Sequence, residues 1–170
     1  MVNLQKTPIT VMLIPLLFSS CAPADESDRP STTEVASAGQ CEATENVIER
    51  IECYVEFATD NDDPSVCGQS TDEGVKYQCY AIVAERRDSV ELCNIIPSRS
   101  QDHQELKDIC ISDVAKKILN ALLCEQIQTV GLRDSCYAQI GRDTEDEALC
   151  SKIRDPGLRS LCSGKPVIVK

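Results

Sequence analysis

The 170-residue chain has 11 cysteines, one histidine, no tryptophan and six other aromatics, with 28 Asp and Glu against 17 Lys and Arg for a net charge of −11. So acidic a balance argues against a nucleic-acid binder, which needs a basic face to displace counterions from phosphates. One histidine rules out a His-rich metal site, and nothing in the composition implies a cofactor.

Residues 1–20 have the layout of an export segment. A short start with Lys6 leads into an apolar stretch from Ile9 to Phe18, interrupted by Thr10 and Pro15. That is too short for the roughly 20 apolar residues of a membrane span. Phe18-Ser19-Ser20-Cys21 resembles the lipobox of bacterial lipoprotein signal peptides, with Phe18 where the motif usually has Leu. The resemblance implies cleavage before Cys21, lipidation of that residue, and an exported protein anchored in the bacterial cell envelope. Ala22 rather than Asp after the cysteine implies the outer membrane in a Gram-negative cell. Ordinary secretion, with cleavage at Ala22-Pro23-Ala24, is the alternative.

Setting Cys21 aside leaves ten cysteines, an even number, as full pairing in an exported protein requires. Residues 21–40 then read as the lipidated cysteine and a disordered tether of Ala, Pro, Ser, Thr and acids. The nineteen residues from Ala22 have a reach of roughly 25 Å.

The remaining cysteines, at 41, 53, 67, 79, 93, 110, 124, 136, 150 and 162, are separated by steps of 12, 14, 12, 14, 17, 14, 12, 14 and 12. This is a 26-residue period with one five-residue insertion within Asn94–Asp102. Each period begins with a short helix of about seven residues. Asp63, Ser89, Asn120 and Asp146 stand at its N-cap, with Pro64 at N1 of one copy. Val66, Leu92, Leu123 and Leu149, with Ile96, Ile127 and Ile153 farther on, form its apolar side.

A longer helix follows, opened by Asn46, Asp72, Thr129 and Asp155 and, in the inserted unit, by His103 beside Asp102. Val75-Cys79-Val83, Leu106-Cys110-Val114 and Leu132-Cys136-Ile140 each recur at i, i+4, i+8 on one face. Ala58, Ala84, Ala115 and Gly141 close that face with small residues. Gly39 and Gln40 spoil the first short helix, and the last long helix stops near Cys162. No run alternates with period two. The expectation is an all-α domain over 41–162, made of about nine short helices in disulfide-stapled hairpin repeats stacked as a small solenoid, with a tail at 163–170.

Helices this short do not stand alone, because nucleation outweighs the few hydrogen bonds gained. With so thin a core the units need staples, each closing about twelve residues for roughly 3 kcal/mol. Two ladders fit the spacing. One pairs Cys41–Cys53, Cys67–Cys79, Cys93–Cys110, Cys124–Cys136 and Cys150–Cys162, and uses all ten. The other pairs Cys53–Cys67, Cys79–Cys93, Cys110–Cys124 and Cys136–Cys150, and keeps the constant step of 14.

The rhythm resembles uncharacterised prokaryotic repeat proteins whose units read roughly Leu-Cys-x-x-Ile…Leu-Arg-Asp-x-Cys-Tyr-x-x-Ile-Ala. The match is closest from Leu123-Cys124 to Gly141 and spans about 120 residues. That family implies no activity. The twin-cysteine hairpins of the mitochondrial intermembrane space are a looser likeness, since their ten-residue step is never used here.

Zinc and thiol-redox sites need closer cysteines than the shortest step of 12, so no metal is expected, and His103 reads as an exposed loop residue. Asp60-Asn61-Asp62-Asp63 resembles a calcium loop, but Ser65 and Thr71 stand where an EF-hand needs Gly and Glu, so it reads as a capping turn. Arg50, Lys76, Lys107, Arg133 and Arg159 share one register as a basic stripe that could meet phosphate or carboxylate groups, but pairing with acids of adjacent units such as Glu49, Asp108 or Asp134 is the expected use. Tyr54, Tyr80 and Tyr137 cover the bridges.

With no paired nucleophile and base, and no glycine-rich phosphate loop, the chain reads as a non-enzymatic envelope protein. It is expected to be held to the membrane by its lipid while the repeat surface binds a protein or cell-wall component. An acidic small-molecule or cation binder is the alternative. The inserted loop, with Pro97, Arg99 and Lys107, is the expected recognition edge.

Overall fold

A computed structural model describes residues 38–164. The export segment, Cys21 and the residues after Gly164 lie outside the described residues. Every regular element among the described residues is helical. Two are 3₁₀ helices, η1 (Ala38–Ala43) and η2 (Pro64–Gln69). The long α-helices are α1 (Val47–Asp60), α2 (Glu73–Arg86), α4 (Gln101–Lys117) and α6 (Val130–Asp143), and the shorter α8 (Pro156–Ser163) ends the series. Between them lie the one-turn helices α3 (Val90–Cys93), α5 (Ala121–Cys124) and α7 (Glu147–Ser151).

Local chemistry sets these boundaries. The carboxylate or amide of Asn46, Asp63, Asp72, Asn120, Asp146 and Asp155 accepts a backbone N–H of the first helical turn. The short elements have four to six residues rather than about seven, because one turn suffices to present a cysteine. Two further expectations are corrected. Gly39 and Gln40 do not spoil the first short element but belong to η1, which the Cys41–Cys53 bridge pins to α1. Ala38 is buried there, so order begins inside the segment expected to be a tether.

α4 is opened not by His103 but by Ser100, whose hydroxyl accepts the His103 N–H at 3.2 Å. Part of the insertion therefore becomes an extra turn at the front of α4.

After the C-terminal end of each of α1, α2, α4 and α6 the chain reverses through one left-handed residue, Asp62, Asp88, Leu119 or Glu145, with φ between 53° and 56°. The next N–H reaches back to a carbonyl of the long helix: Asp63 to Ala58, Ser89 to Ala84, Asn120 to Ala115 and Asp146 to Gly141, at 2.9–3.0 Å. The following N-cap is thus placed by the termination of the preceding helix.

Five disulfides join consecutive helices: Cys41–Cys53, Cys67–Cys79, Cys93–Cys110, Cys124–Cys136 and Cys150–Cys162. Each long helix packs against the next, α1 on α2, α2 on α4, α4 on α6 and α6 on α8. The core between them holds the cysteines with Ile96, Ile111, Ile127, Ile140 and Ile153, and with Val75, Val83 and Val114, all at most 1% exposed apart from Cys53, Cys110, Cys150 and Cys162. Among the described residues no helix is long and apolar enough to cross a membrane. Five bridges indicate an oxidising, extracellular setting.

Candidate functional site

The most elaborate polar chemistry lies where one unit meets the next. Asp108 in α4 is fully buried. Its carboxylate accepts the backbone N–H groups of Gln128 and Thr129 at 3.1 and 2.7 Å, and the Gln104 side-chain amide at 2.8 Å. Burial pushes this acid up, but the N–H donors outweigh it and hold it below the ordinary aspartate range. Asp134 in α6, 26 residues later, does the same for Arg154 and Asp155, whose N–H groups lie 3.0 and 2.8 Å from Oδ2. Its Oδ1 is buried without a partner. Both acids stand two residues before the long-helix cysteine, so the capped segment is always the start of the next long helix.

The first junction reaches the same result from the other side. Glu42, on η1, accepts the Thr71 N–H at 3.0 Å, the Thr71 hydroxyl at 3.2 Å and the Tyr54 hydroxyl at 2.8 Å. The Thr71 N–H and then the Tyr54 hydroxyl hold Glu42 at about 2. Burial and the neighbouring Glu42 push Tyr54 up to about 12.

At the junction carrying the insertion, Tyr77 takes the position of the buried aspartates, and Arg99 donates to its hydroxyl at 3.0 Å while pairing with Glu73 at 3.3 Å. The His103 ring meets the Tyr77 ring edge-on, with centroids 5.1 Å apart. His103 is therefore a half-buried packing residue of α4 rather than an exposed loop residue.

The expected recognition residues lie on the loop before α4 and on α4 itself. Arg99 turns back onto α2, Pro97 is half-buried beside buried Ile96, and Lys107 is half-buried on α4. The basic register is likewise used locally. Arg133 and Arg159 donate to the carbonyls of Ile127 and Ile153 at 3.4 and 2.8 Å, and Arg50 lies 4.0 Å from Glu42. Asp108 and Asp134 pair with backbone instead of these cations. Asp62, in the acidic turn, pairs with Arg87 at 2.8 Å.

Further ties cross between units. Lys117 pairs with Asp88 at 2.8 Å and donates to the Glu85 carbonyl at 2.6 Å, closing the exposed end of α2. Lys152 pairs with Glu125 at 2.8 Å and lies 5.2 Å from the Tyr137 ring centre. The Glu125 contact raises Lys152, and Lys152 lowers Glu125. Tyr54, Tyr80 and Tyr137 are all buried.

One cleft between α1 and α2 is lined by Glu52, Val55, Glu56, Ile82 and Arg86. No group of three or more His, Cys, Asp or Glu among the described residues is arranged to hold a metal ion.

Sequence reasoning missed Glu42 and Tyr77 as junction residues. It noticed Asp108 and Asp134 but gave them the wrong partner. The signal was present as Asp-x-Cys at Asp108–Cys110 and again at Asp134–Cys136. No protein-family model, curated protein or solved structure matches this chain.

Proposed function

We propose that this chain is a non-enzymatic lipoprotein of the cell envelope. Cys21 carries the lipid, the residues between it and Ala38 form a tether, and the 26-residue units stack as a small solenoid whose surface binds a protein or cell-wall component. The carrying observation is the use of the buried acids. Asp108 and Asp134 direct their carboxylates at the backbone of the next unit, so the charged chemistry inside the domain holds units together rather than facing a substrate. The staples and junctions make a rigid scaffold, and its exposed faces are the surfaces a partner can use. The lipobox-like Phe18-Ser19-Ser20-Cys21 supports the anchor.

Two measurements test this reading. The mature protein is expected in the detergent phase of a phase-separation assay, and Cys21→Ser in the aqueous phase; equal partitioning contradicts the anchor. Crosslinking in intact cells followed by mass spectrometry is expected to join the repeat domain to one envelope component reproducibly. Recovery of no component above a control lipoprotein contradicts the binding role.

A further inference from the structure

The corner between a long helix and the following short one is built the same way four times, so its side chains can be compared position by position. The residue capping the long helix is Asn61, Arg87, Ile118 or Thr144. The left-handed residue after it is Asp62, Asp88, Leu119 or Glu145. The second residue of the short element is Ser65, Glu91, Leu122 or Ala148.

Three corners are polar or small at every position. The corner between α4 and α5 alone carries Ile118, Leu119 and Leu122, which are 40%, 48% and 70% exposed. Scattered exposed aliphatics need no explanation, but three on one turn form a patch. Leu119 also holds a left-handed backbone that a branched side chain adopts reluctantly and that Asp or Asn tolerates better. Fold stability therefore does not account for a leucine at position 119.

The charge around the patch indicates what would cover it. Arg87 pairs with Asp62 and Lys117 with Asp88, both at 2.8 Å, which sets the first three corners side by side. The two cations before the patch are both engaged, Lys117 by Asp88 and Lys116 by Asp113 at 3.8 Å. The neighbouring corners present Glu91 and Glu145, and α6 ends in Asp143; none of the three is in an ion pair among the described residues, and they outnumber the one cation beside them, Arg142, which donates to the Gln139 side chain. An apolar spot on an acidic edge of a chain with net charge −11 complements a basic ligand and repels an anionic one.

We propose that Ile118, Leu119 and Leu122 form the docking site for a basic protein segment that inserts an apolar anchor between flanking lysines or arginines. This rests on the reading of the repeat domain as a binding scaffold, and gives that scaffold a place and a partner chemistry.

The test uses the full folded protein and a synthetic peptide of leucines flanked by lysines, with a glutamate-flanked peptide as its match. Fluorescence anisotropy is expected to show binding of the lysine peptide. The triple variant Ile118→Thr, Leu119→Glu, Leu122→Ala installs the residues of the following corner, so the fold has already accommodated them in that register. It is expected to weaken binding at least tenfold although it adds a negative charge.

Absence of binding, equal binding by the triple variant, or equal binding of the glutamate peptide overturns the proposal. So does vesicle flotation or self-association that the triple variant abolishes, because the patch then belongs to a lipid surface or a second copy. If the triple variant still crosslinks to the same envelope component in cells, the corner is wrong and the scaffold reading stands. If the parent protein crosslinks to nothing, the scaffold reading itself fails.

Discussion

Asp134 on α6 accepts the backbone N–H of Asp155 at 2.8 Å, so a side chain of one repeat caps the first turn of the long helix in the next. Asp108 makes the equivalent bond to Thr129 at 2.7 Å. The two acids differ in one respect. Both oxygens of Asp108 are bonded, whereas Asp134 uses Oδ2 and leaves Oδ1 buried without a partner.

That difference predicts opposite tolerance to amide substitution. Asp108→Asn replaces an accepting oxygen with a donor facing donors, and should cost about 2 kcal/mol. Asp134→Asn can keep its single accepting oxygen and should cost less than about 1 kcal/mol. Urea denaturation of the two variants measures both. A larger loss for Asp134→Asn would contradict the bonding pattern.

Acid should loosen the first junction. Glu42 is held at about 2, below its ordinary 4.5. Its contribution is therefore complete above pH 4.5 and is lost as the pH falls towards 2. Glu42→Gln should flatten that part of the melting-temperature profile and lower the melting temperature at pH 7. A variant profile parallel to the parent's over this range would rule out the Glu42 linkage.

Two glycines separate crowding from helix propensity. A Cβ on Gly141 would meet Cys162 Sγ at 3.0 Å, the Asp146 carbonyl at 3.3 Å and Leu149 Cβ at 3.3 Å, while one on Gly131 would meet nothing within 4 Å. Gly131→Ala should stabilise by up to about 1 kcal/mol. Gly141→Ala should destabilise by about 1–3 kcal/mol, because a bridge sulfur and the backbone behind it have to shift. Thermal melts of both proteins decide it, and stabilisation by both would mean that α6 and α8 pack less closely than described.

Leu119→Gly should raise stability by about 1 kcal/mol, since glycine adopts its φ of 54° without penalty. Asp62→Gly should gain less, because it gives up the pair with Arg87. Chemical denaturation of the two variants gives the comparison. An unchanged Leu119→Gly midpoint would show that the Leu119 side chain is held by packing rather than strained.

Most of the helices were legible because their signals are local. Asp63, Asp72, Asn120 and Asp155 are N-caps whose effect is confined to the next three residues. The left-handed turns were not legible: Leu119 and Glu145 give no glycine signal, and the conformation is imposed by the bonds that close the preceding helix. The start of α4 was hidden by the repeat itself, which pointed to His103, while Ser100 caps an extra turn allowed by the insertion. The bond from Arg99 to Tyr77, 22 residues earlier, was not legible because nothing local to Arg99 signals it. The junction acids were visible, but their partners lie 20 and 21 residues later, across a packing that only the folded chain supplies.

The central claim is that every unit is closed by its own bridge and is then coupled to the next through non-covalent junctions. Peptide mapping of the exported protein under non-reducing conditions tests it most directly. The account predicts linked peptides joining Cys41–Cys53, Cys67–Cys79, Cys93–Cys110, Cys124–Cys136 and Cys150–Cys162, with no free thiol among the ten. Linked peptides joining Cys53–Cys67, Cys79–Cys93, Cys110–Cys124 and Cys136–Cys150, with Cys41 and Cys162 left free, would contradict it.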